Sequence, residues 1–119
     1  MNLDSFREFC LAKPGVTEEL PFGPDTLVMK VAGKMFALTG LESTFFAVSL
    51  KCNPEKAQEL RASFDFVVPA YHMNKTHWNT VSTHSTLSDA QWKEWIDDSY
   101  TLVVASLSRQ KREELRNQP

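Results

Sequence analysis

Residues 69–81 read PAYHMNKTHWNTV, the densest run in this chain of side chains that donate hydrogen bonds, stack or change charge. The run holds two of the three histidines, and it lies in a longer window, Phe66 to Ser88, that contains no Asp or Glu. Residues 66–70 and 79–82 have strand character. We therefore predict that His72 to Trp78 form a polar loop, or a single helical turn, between two strands of a sheet.

Upstream of this run, the sequence predicts three further strands that form an antiparallel meander. Residues 27–31 alternate between two faces, and Gly33 permits a short hairpin turn because glycine tolerates a positive φ. Residues 34–38 and 45–51 supply the next two strands, and one face of such a sheet can stay in contact with water. The segment 16–25, which is rich in proline, is interpreted as a loop.

Capping residues mark the starts of the predicted helices: Asn2, the Asn53-Pro54 pair, the box Ser88-Asp89-Ala90-Gln91, and Ser108. The box opens the longest helix, whose spacings of three and four predict one buried face: Trp92, Ile96, Tyr100, Val103 and Leu107. The fold class is therefore α+β. We expect an antiparallel β-sheet of about five strands with helices packed on one face, in a single domain that spans residues 1–119.

Composition fits a globular protein, because 42% of the residues are hydrophobic and 24% are charged. No apolar run is long enough to span a membrane, and the first residues, MNLDS, lack the pattern of a signal peptide. We therefore expect a cytoplasmic protein that does not bind membranes. Cys10 and Cys52 are too few and too isolated for a disulfide framework, so both are expected to be reduced, with Cys10 buried.

The net charge of −2 is unevenly distributed along the chain. From Thr26 to Pro54, Lys30, Lys34 and Lys51 stand against Glu42, which gives +2; the window from Phe66 to Ser88 adds +1 through Lys75, and the remainder carries −5. Two interpretations stay open. Either the helices simply have large solvated acidic faces, or one side of the molecule is electropositive and meets an anion.

The sequence does not favour an enzyme or a metal protein. The glycines are too dispersed for a phosphate-binding loop, and Cys52 stands just before a helix cap without a motif that links it to a histidine. His72 and His77 are five residues apart, which does not place them on one face of a helix, and no Cys or carboxylate lies in the window to complete a metal shell. We therefore expect no catalytic residues, no metal and no cofactor.

The side chains of the polar loop have two interpretations. Tyr71, His72, Asn74, Lys75 and His77 combine amide, cation and stacking ring, as nucleic-acid interfaces do. Alternatively, the loop's side chains satisfy its own backbone. The indole of Trp78 fits both, since it either stacks on a ligand or anchors the loop in the core.

Segments in five places resemble the MmcQ/YjbR family: PFGPD (21–25), KVAGKMFAL (30–38), VSLKCNP (48–54), PAYHMNKTHWNTV (69–81) and SYTLVV (99–104). Their order matches the family and they span nearly the whole chain. The resemblance implies an α+β sandwich close to the frataxin (CyaY) topology, part of which is described as a double wing. DNA binding is inferred for the family from that shape.

The turn at Thr83-His84-Ser85-Thr86-Leu87-Ser88 departs from the family, many of whose members carry an acid-Gly-Ser-Leu-Pro type turn there. This departure puts the geometry of the turn in question and adds a third histidine near the loop. The acidic helical ridge of frataxins is also absent, since the first helix offers only Asp4 and Glu8. Iron handling is therefore not carried over.

The leading hypothesis is a non-enzymatic, monomeric DNA-binding domain. Its predicted contacts are sheet lysines and the polar loop: Lys30, Lys34, Lys51, Tyr71, His72, Asn74, Lys75, His77 and Trp78. Two alternatives remain. The first is a protein-interaction module that uses the same loop, and the second is a small-ligand or metal site at His72 and His77.

Overall fold

The computed structural model describes residues 1–42, 45–82 and 87–117. In chain order they form α1 Leu3–Leu11, β1 Val16–Glu19, β2 Thr26–Val31, β3 Lys34–Gly40, β4 Ala47–Lys51, α2 Pro54–Ser63, β5 Val67–Pro69, β6 Trp78–Ser82, α3 Asp89–Ala105 and α4 Arg109–Arg116. Each predicted cap is present: the side chains of Asn2, Asn53, Ser88 and Ser108 all accept from backbone N–H groups of the helices they precede. The third histidine, His84, which the sequence analysis places near the polar loop, lies outside the described residues.

The strands make one antiparallel sheet in the order β1-β2-β3-β4-β6-β5. The α+β class is confirmed, with six strands rather than about five. The additional strand is β1, in the segment that the sequence predicted as a loop. Only Val16 of its four residues is apolar, so the sequence of β1 lacks the alternation typical of a strand. The strand is stabilised instead by its pairing with β2 and by the ion pair between Glu18 and Arg7 of α1 (2.6 Å).

The β2–β3 hairpin contains a tight turn and, just after it, a bulge. Ala32 and Gly33 both have positive φ (49° and 82°), as the type I′ turn of a two-residue hairpin requires. Met29 pairs with Ala37 but Lys30 pairs with Met35, so Phe36 is left as an extra residue on β3. The bulge lets Phe36 and Ala37, although adjacent, both join the core beneath the helices.

A single hydroxyl extends the ladder between β3 and β4. The pairs Leu38–Ser49 and Ala37–Leu50 would be followed by Phe36 and Lys51. Instead, the buried Ser99 Oγ of α3 accepts from the backbone N–H of Lys51 (2.9 Å) and donates to the carbonyl of Phe36 (2.6 Å). The central helix is thereby tied to two strands at the same point.

The main core lies between the helices and one face of the sheet, as predicted. Of the predicted α3 face, Trp92, Ile96, Val103 and Leu107 are buried, although Leu107 follows the end of the helix. Tyr100 is only half-buried: its ring meets Phe36 edge-on at 5.4 Å and its hydroxyl donates to the Pro14 carbonyl at 2.6 Å. Phe6 and Cys10 complete the core from α1.

The opposite side of the sheet carries no helix among the described residues, and we call it the open face. A row of cross-strand partners crosses it: Glu19, Val28, Leu38, Ser49, Thr80 and Val68. Val28 and Leu38 form a second, smaller apolar cluster with Ala70 and Trp78. No helix in the described part of the chain is long and apolar enough to cross a membrane.

Candidate functional site

The open face contains a groove of about 740 Å³. Leu38, Ser49, Trp78 and Thr80 line it from the sheet, and the hydroxyls of Ser49 and Thr80 share a hydrogen bond of 2.8 Å. Residues 70–74, which lead into the polar loop and form its first part, border the groove, as does Phe22 from the segment between β1 and β2. The groove therefore offers apolar surface, hydroxyls and loop side chains in one concave site.

Backbone hydrogen bonds hold the polar loop in a fixed shape. The carbonyl of Asn74 accepts from the N–H groups of His77 (3.1 Å) and Trp78 (3.0 Å), and its side-chain Oδ1 accepts from Thr76 N–H (3.0 Å). The His77 carbonyl accepts from the N–H of Cys52 at 2.7 Å. The interpretation that the loop satisfies its own backbone is thus confirmed for Asn74, whose carboxamide oxygen is used within the loop.

Arg61 of α2 fastens the loop to the helix side of the molecule. Its Nη1 donates to the Lys75 carbonyl (3.1 Å) and to Asn79 Oδ1 (2.8 Å), while Asn79 Nδ2 donates to the Ala57 carbonyl (3.2 Å). Asn79 is only 2% exposed. Sequence reasoning missed Arg61, because a lone arginine in the last turn of a polar helix carries no local signal of such a partner.

Trp78 anchors the loop and does not project from it. Its side chain is 8% exposed and packs with Val28, Leu38 and Ala70, and it also lines the groove. This burial favours the interpretation in which the indole anchors the loop in the core. Met73 packs against the same cluster and closes the base of the loop.

Two aromatic rings beside the groove are exposed to solvent. Tyr71 is 65% exposed and Phe22 64% exposed. The ammonium group of Lys75 lies 5.2 Å from the centre of the Tyr71 ring, within cation–π range. His72 and Lys75 are exposed and His77 is half-buried. The sequence analysis treated Phe22 only as part of a structural loop. The cue that it missed is an aromatic residue in a Pro-Phe-Gly-Pro segment that belongs to neither a strand nor a helix.

The sheet lysines do not form one surface. Lys34, partner of the core residue Val31, lies on the helix side, where its ammonium donates to the Ser106 carbonyl and hydroxyl (both 3.4 Å). Lys30 is on the open face but pairs with Glu19 at 3.3 Å. Lys51 is the cross-strand partner of Trp78, and this register assigns it to the open face.

The described residues contain no group of three or more His, Cys, Asp and Glu side chains that converge on a metal position. Burial raises the pKa of both thiols, that of Cys10 to about 12, so neither is activated as a thiolate. The chemistry available on the open face is stacking, hydrogen bonding and charge attraction.

Two sequence relatives align with nearly the whole chain. It is 35% identical over 112 residues to the uncharacterized protein YjbR of Escherichia coli K12, with 94% of this chain and 95% of the relative covered. It is 32% identical over 113 residues to the uncharacterized protein YbdF of Escherichia coli O157:H7, with 95% and 93% covered.

Two solved structures share the fold and sequence similarity. The crystal structure of Deinococcus radiodurans protein DR2400 superposes with a TM-score of 0.89 at 35% identity, covering 96% of this chain and 87% of the other. That of a Pseudomonas syringae protein gives 0.72 at 29% identity, covering 86% and 98%. The YjbR family model matches residues 11–102, including the groove and the polar loop. The chain therefore belongs to the YjbR family.

Proposed function

We propose that the open face binds single-stranded DNA without catalysing a reaction. The observation that carries this proposal is the pair of exposed rings, Phe22 and Tyr71, beside one groove. Exposed aromatic rings beside a binding groove stack on nucleic-acid bases, and each stacked base contributes about 1–3 kcal/mol, because every base has a π-face. Exposed apolar surface beside a groove is typical of interaction sites.

The groove supplies hydrogen-bonding groups for the edges of unpaired bases. Ser49 and Thr80 each carry a hydroxyl that donates and accepts, and His72 and Asn74 border the same space. The Asn74 amide nitrogen remains available, since the oxygen of that side chain binds within the loop. In a duplex these base edges are paired and stacked, so a groove of this kind suits a single strand.

The positive charge of the open face also favours a single strand over a duplex. Lys30 is paired with Glu19 and Lys34 is on the helix side, which leaves Lys51 and Lys75 as phosphate contacts. Two contacts predict a slope of log K against log salt of about −1.4 for single strands, and weak binding overall. Without a longer row of cations, the many phosphates of a duplex stay unneutralised.

Fluorescence anisotropy with labelled single- and double-stranded oligonucleotides, at about 50 and about 200 mM salt, tests the proposal. We expect the single strand to bind more tightly. Lys75→Ala should reduce the magnitude of the salt slope by about 0.7, and the matched control Lys34→Ala, on the other side of the sheet, should leave it unchanged.

The aromatic contribution is measured separately. Tyr71→Ala and Phe22→Ala should each weaken binding by about 1–3 kcal/mol, whereas Leu20→Ala removes an apolar side chain that is 51% exposed and does not line the groove, and should have little effect. If no oligonucleotide binds even at low salt, the proposal fails, and the exposed rings become the contact surface of a protein-interaction module. Equal loss in all three variants would also contradict it.

A further inference from the structure

A second concave site lies on the helix side of the sheet, between α2 and α3. It is a cavity of about 240 Å³ whose walls are apolar side chains: Leu50, Leu60, Val81, Trp95 and Leu102. An apolar cavity of about 150 Å³ is already large enough to bind benzene. This one can therefore hold a branched aliphatic or aromatic group.

The cavity wall contains a buried hydrogen-bond donor that lacks a partner. Asn79 lines the cavity and is 2% exposed. A guanidinium only donates, so the contact with Arg61 fixes the Asn79 oxygen on that side and the amide nitrogen toward the Ala57 carbonyl. That bond uses one of two N–H hydrogens; the other has no partner among the described residues. Leaving a buried donor without a partner is unfavourable, and an acceptor on a ligand would remove that cost.

Three charged residues line the same cavity: Lys51, whose side chain the register of β4 assigns to the open face, and two of opposite sign on the helices that do not touch each other. Lys56 comes from α2 and Asp98 from α3. Lys56 opposes the rise in the pKa of Asp98 that burial causes, so the two groups interact through space. Neither forms an ion pair with any residue that the structure describes. A ligand whose head carries both signs of charge complements this arrangement.

We propose that the cavity binds an apolar α-amino acid of the size of leucine, methionine or phenylalanine. The side chain occupies the apolar cavity, the ammonium group meets Asp98, and the carboxylate meets Lys56. Carboxylate oxygens are also acceptors of the kind that the free Asn79 N–H requires. Burial holds the Cys52 thiol beside the cavity in its neutral form, so binding is non-covalent.

Isothermal titration of the full chain with L-leucine, N-acetyl-L-leucine, L-leucinamide and glycine tests the proposal. Leucine should bind saturably, and glycine, which lacks the apolar group, should not. N-acetyl-leucine has no ammonium group and leucinamide has no carboxylate, so each should lose about tenfold or more in affinity. No saturable binding of leucine, methionine or phenylalanine up to about 10 mM would overturn the proposal.

Variants assign each charge to its contact. Asp98→Asn should weaken leucine binding about tenfold but leave N-acetyl-leucine unaffected, and Lys56→Gln should weaken leucine but leave leucinamide unaffected. Glu59→Gln changes a charge of α2 that, unlike Lys56, does not line the cavity, and it should leave all affinities unchanged. Variants that weaken every ligand alike would contradict the assignment. Because the open face is on the other side of the sheet, oligonucleotide binding should be unaffected by all three, which keeps this test independent of the proposed function.

Discussion

The hydroxyl of Ser99 shows how much a single buried polar group contributes to this fold. It stands where β3 and β4 would otherwise continue their ladder, and it satisfies both the N–H of Lys51 and the carbonyl of Phe36. Ser99→Ala leaves two backbone groups without partners in a fully buried position. We expect the free energy of unfolding, measured in urea, to fall by about 1–3 kcal/mol.

Thr101→Ala is the matched control for Ser99→Ala, because Thr101 is exposed on the same helix. It should change the free energy of unfolding by less than about 0.5 kcal/mol. Equal effects of the two substitutions would mean that helix propensity, rather than the bridge to the strands, determines the loss.

Asp97 and Asp98 are adjacent, yet their substitutions should have opposite effects. Burial first, and repulsion by Glu94 next, raise the pKa of Asp98, with partial compensation by Lys56. A carboxyl with a higher pKa in the folded state destabilises the fold once it is ionised, so this cost is present above the folded pKa and disappears as the pH falls below the unfolded one. Since the Asp98 side chain keeps contact with solvent, which screens its charge, Asp98→Asn should raise the melting temperature at pH 7 only slightly, and the gain should shrink on acidification.

Asp97→Asn instead removes the ion pair with the largely buried ammonium of Lys13. The melting temperature should therefore fall at pH 7. A fall in both variants would contradict the raised pKa of Asp98. Thermal unfolding of the two variants at several pH values separates these outcomes.

At the residue scale, the sequence predicted which loop is unusual but not the role of each side chain in it. The residue types in this loop singled out Tyr71, His72 and Lys75 as candidate contacts, and all three side chains are exposed to solvent. They did not separate Trp78 from Tyr71, because burial of an aromatic ring depends on what packs against it. Arg61 and Phe22 were missed because their positions depend on contacts distant in sequence.

At the scale of single elements, the β2–β3 hairpin offers a clean test of backbone strain. Gly33 has a φ of 82°, and a methyl group added there meets nothing within 4 Å, so only its backbone conformation opposes substitution. Gly33→Ala should therefore lower the free energy of unfolding by about 1–2 kcal/mol. Gly40 has equally open surroundings without a positive φ, so Gly40→Ala should be neutral or slightly stabilising. Chemical denaturation of both variants measures the difference, and equal losses would rule out strain at Gly33.

The elements themselves were largely predictable because their signals are local. Capping residues located the helices, and apolar spacing identified the buried face of α3. The strand β1 was not predictable, because its four residues become a strand only by pairing with β2. The bulge at Phe36 was also missed: strict alternation would place Phe36 and Ala37 on opposite faces, whereas both lie in the helix-side core.

At the scale of the whole molecule, the register of the sheet divides the lysines between two sides. Successive residues of a strand point to opposite faces, so Lys34 and Lys51 are separated by the sheet although both are basic strand residues. Charge counted along the sequence could not reveal this. The same division separates the groove on the open face from the cavity between α2 and α3.

The two edge strands of the sheet bear on whether the chain pairs with a second copy. Its outer strands are β1 and β5, and unpaired strand edges invite pairing with a second copy. However, β1 carries Glu18 and Glu19, and β5 has only three residues and ends in Pro69, which has no N–H to donate. We therefore propose a monomer: sedimentation at about 100 µM should give the 13.6 kDa mass of one chain. A stable dimer would show that one of these edges pairs despite its charges or its proline. Glu18→Pro in β1, at a position whose N–H faces away from β2, would then identify which edge by abolishing the dimer or leaving it intact.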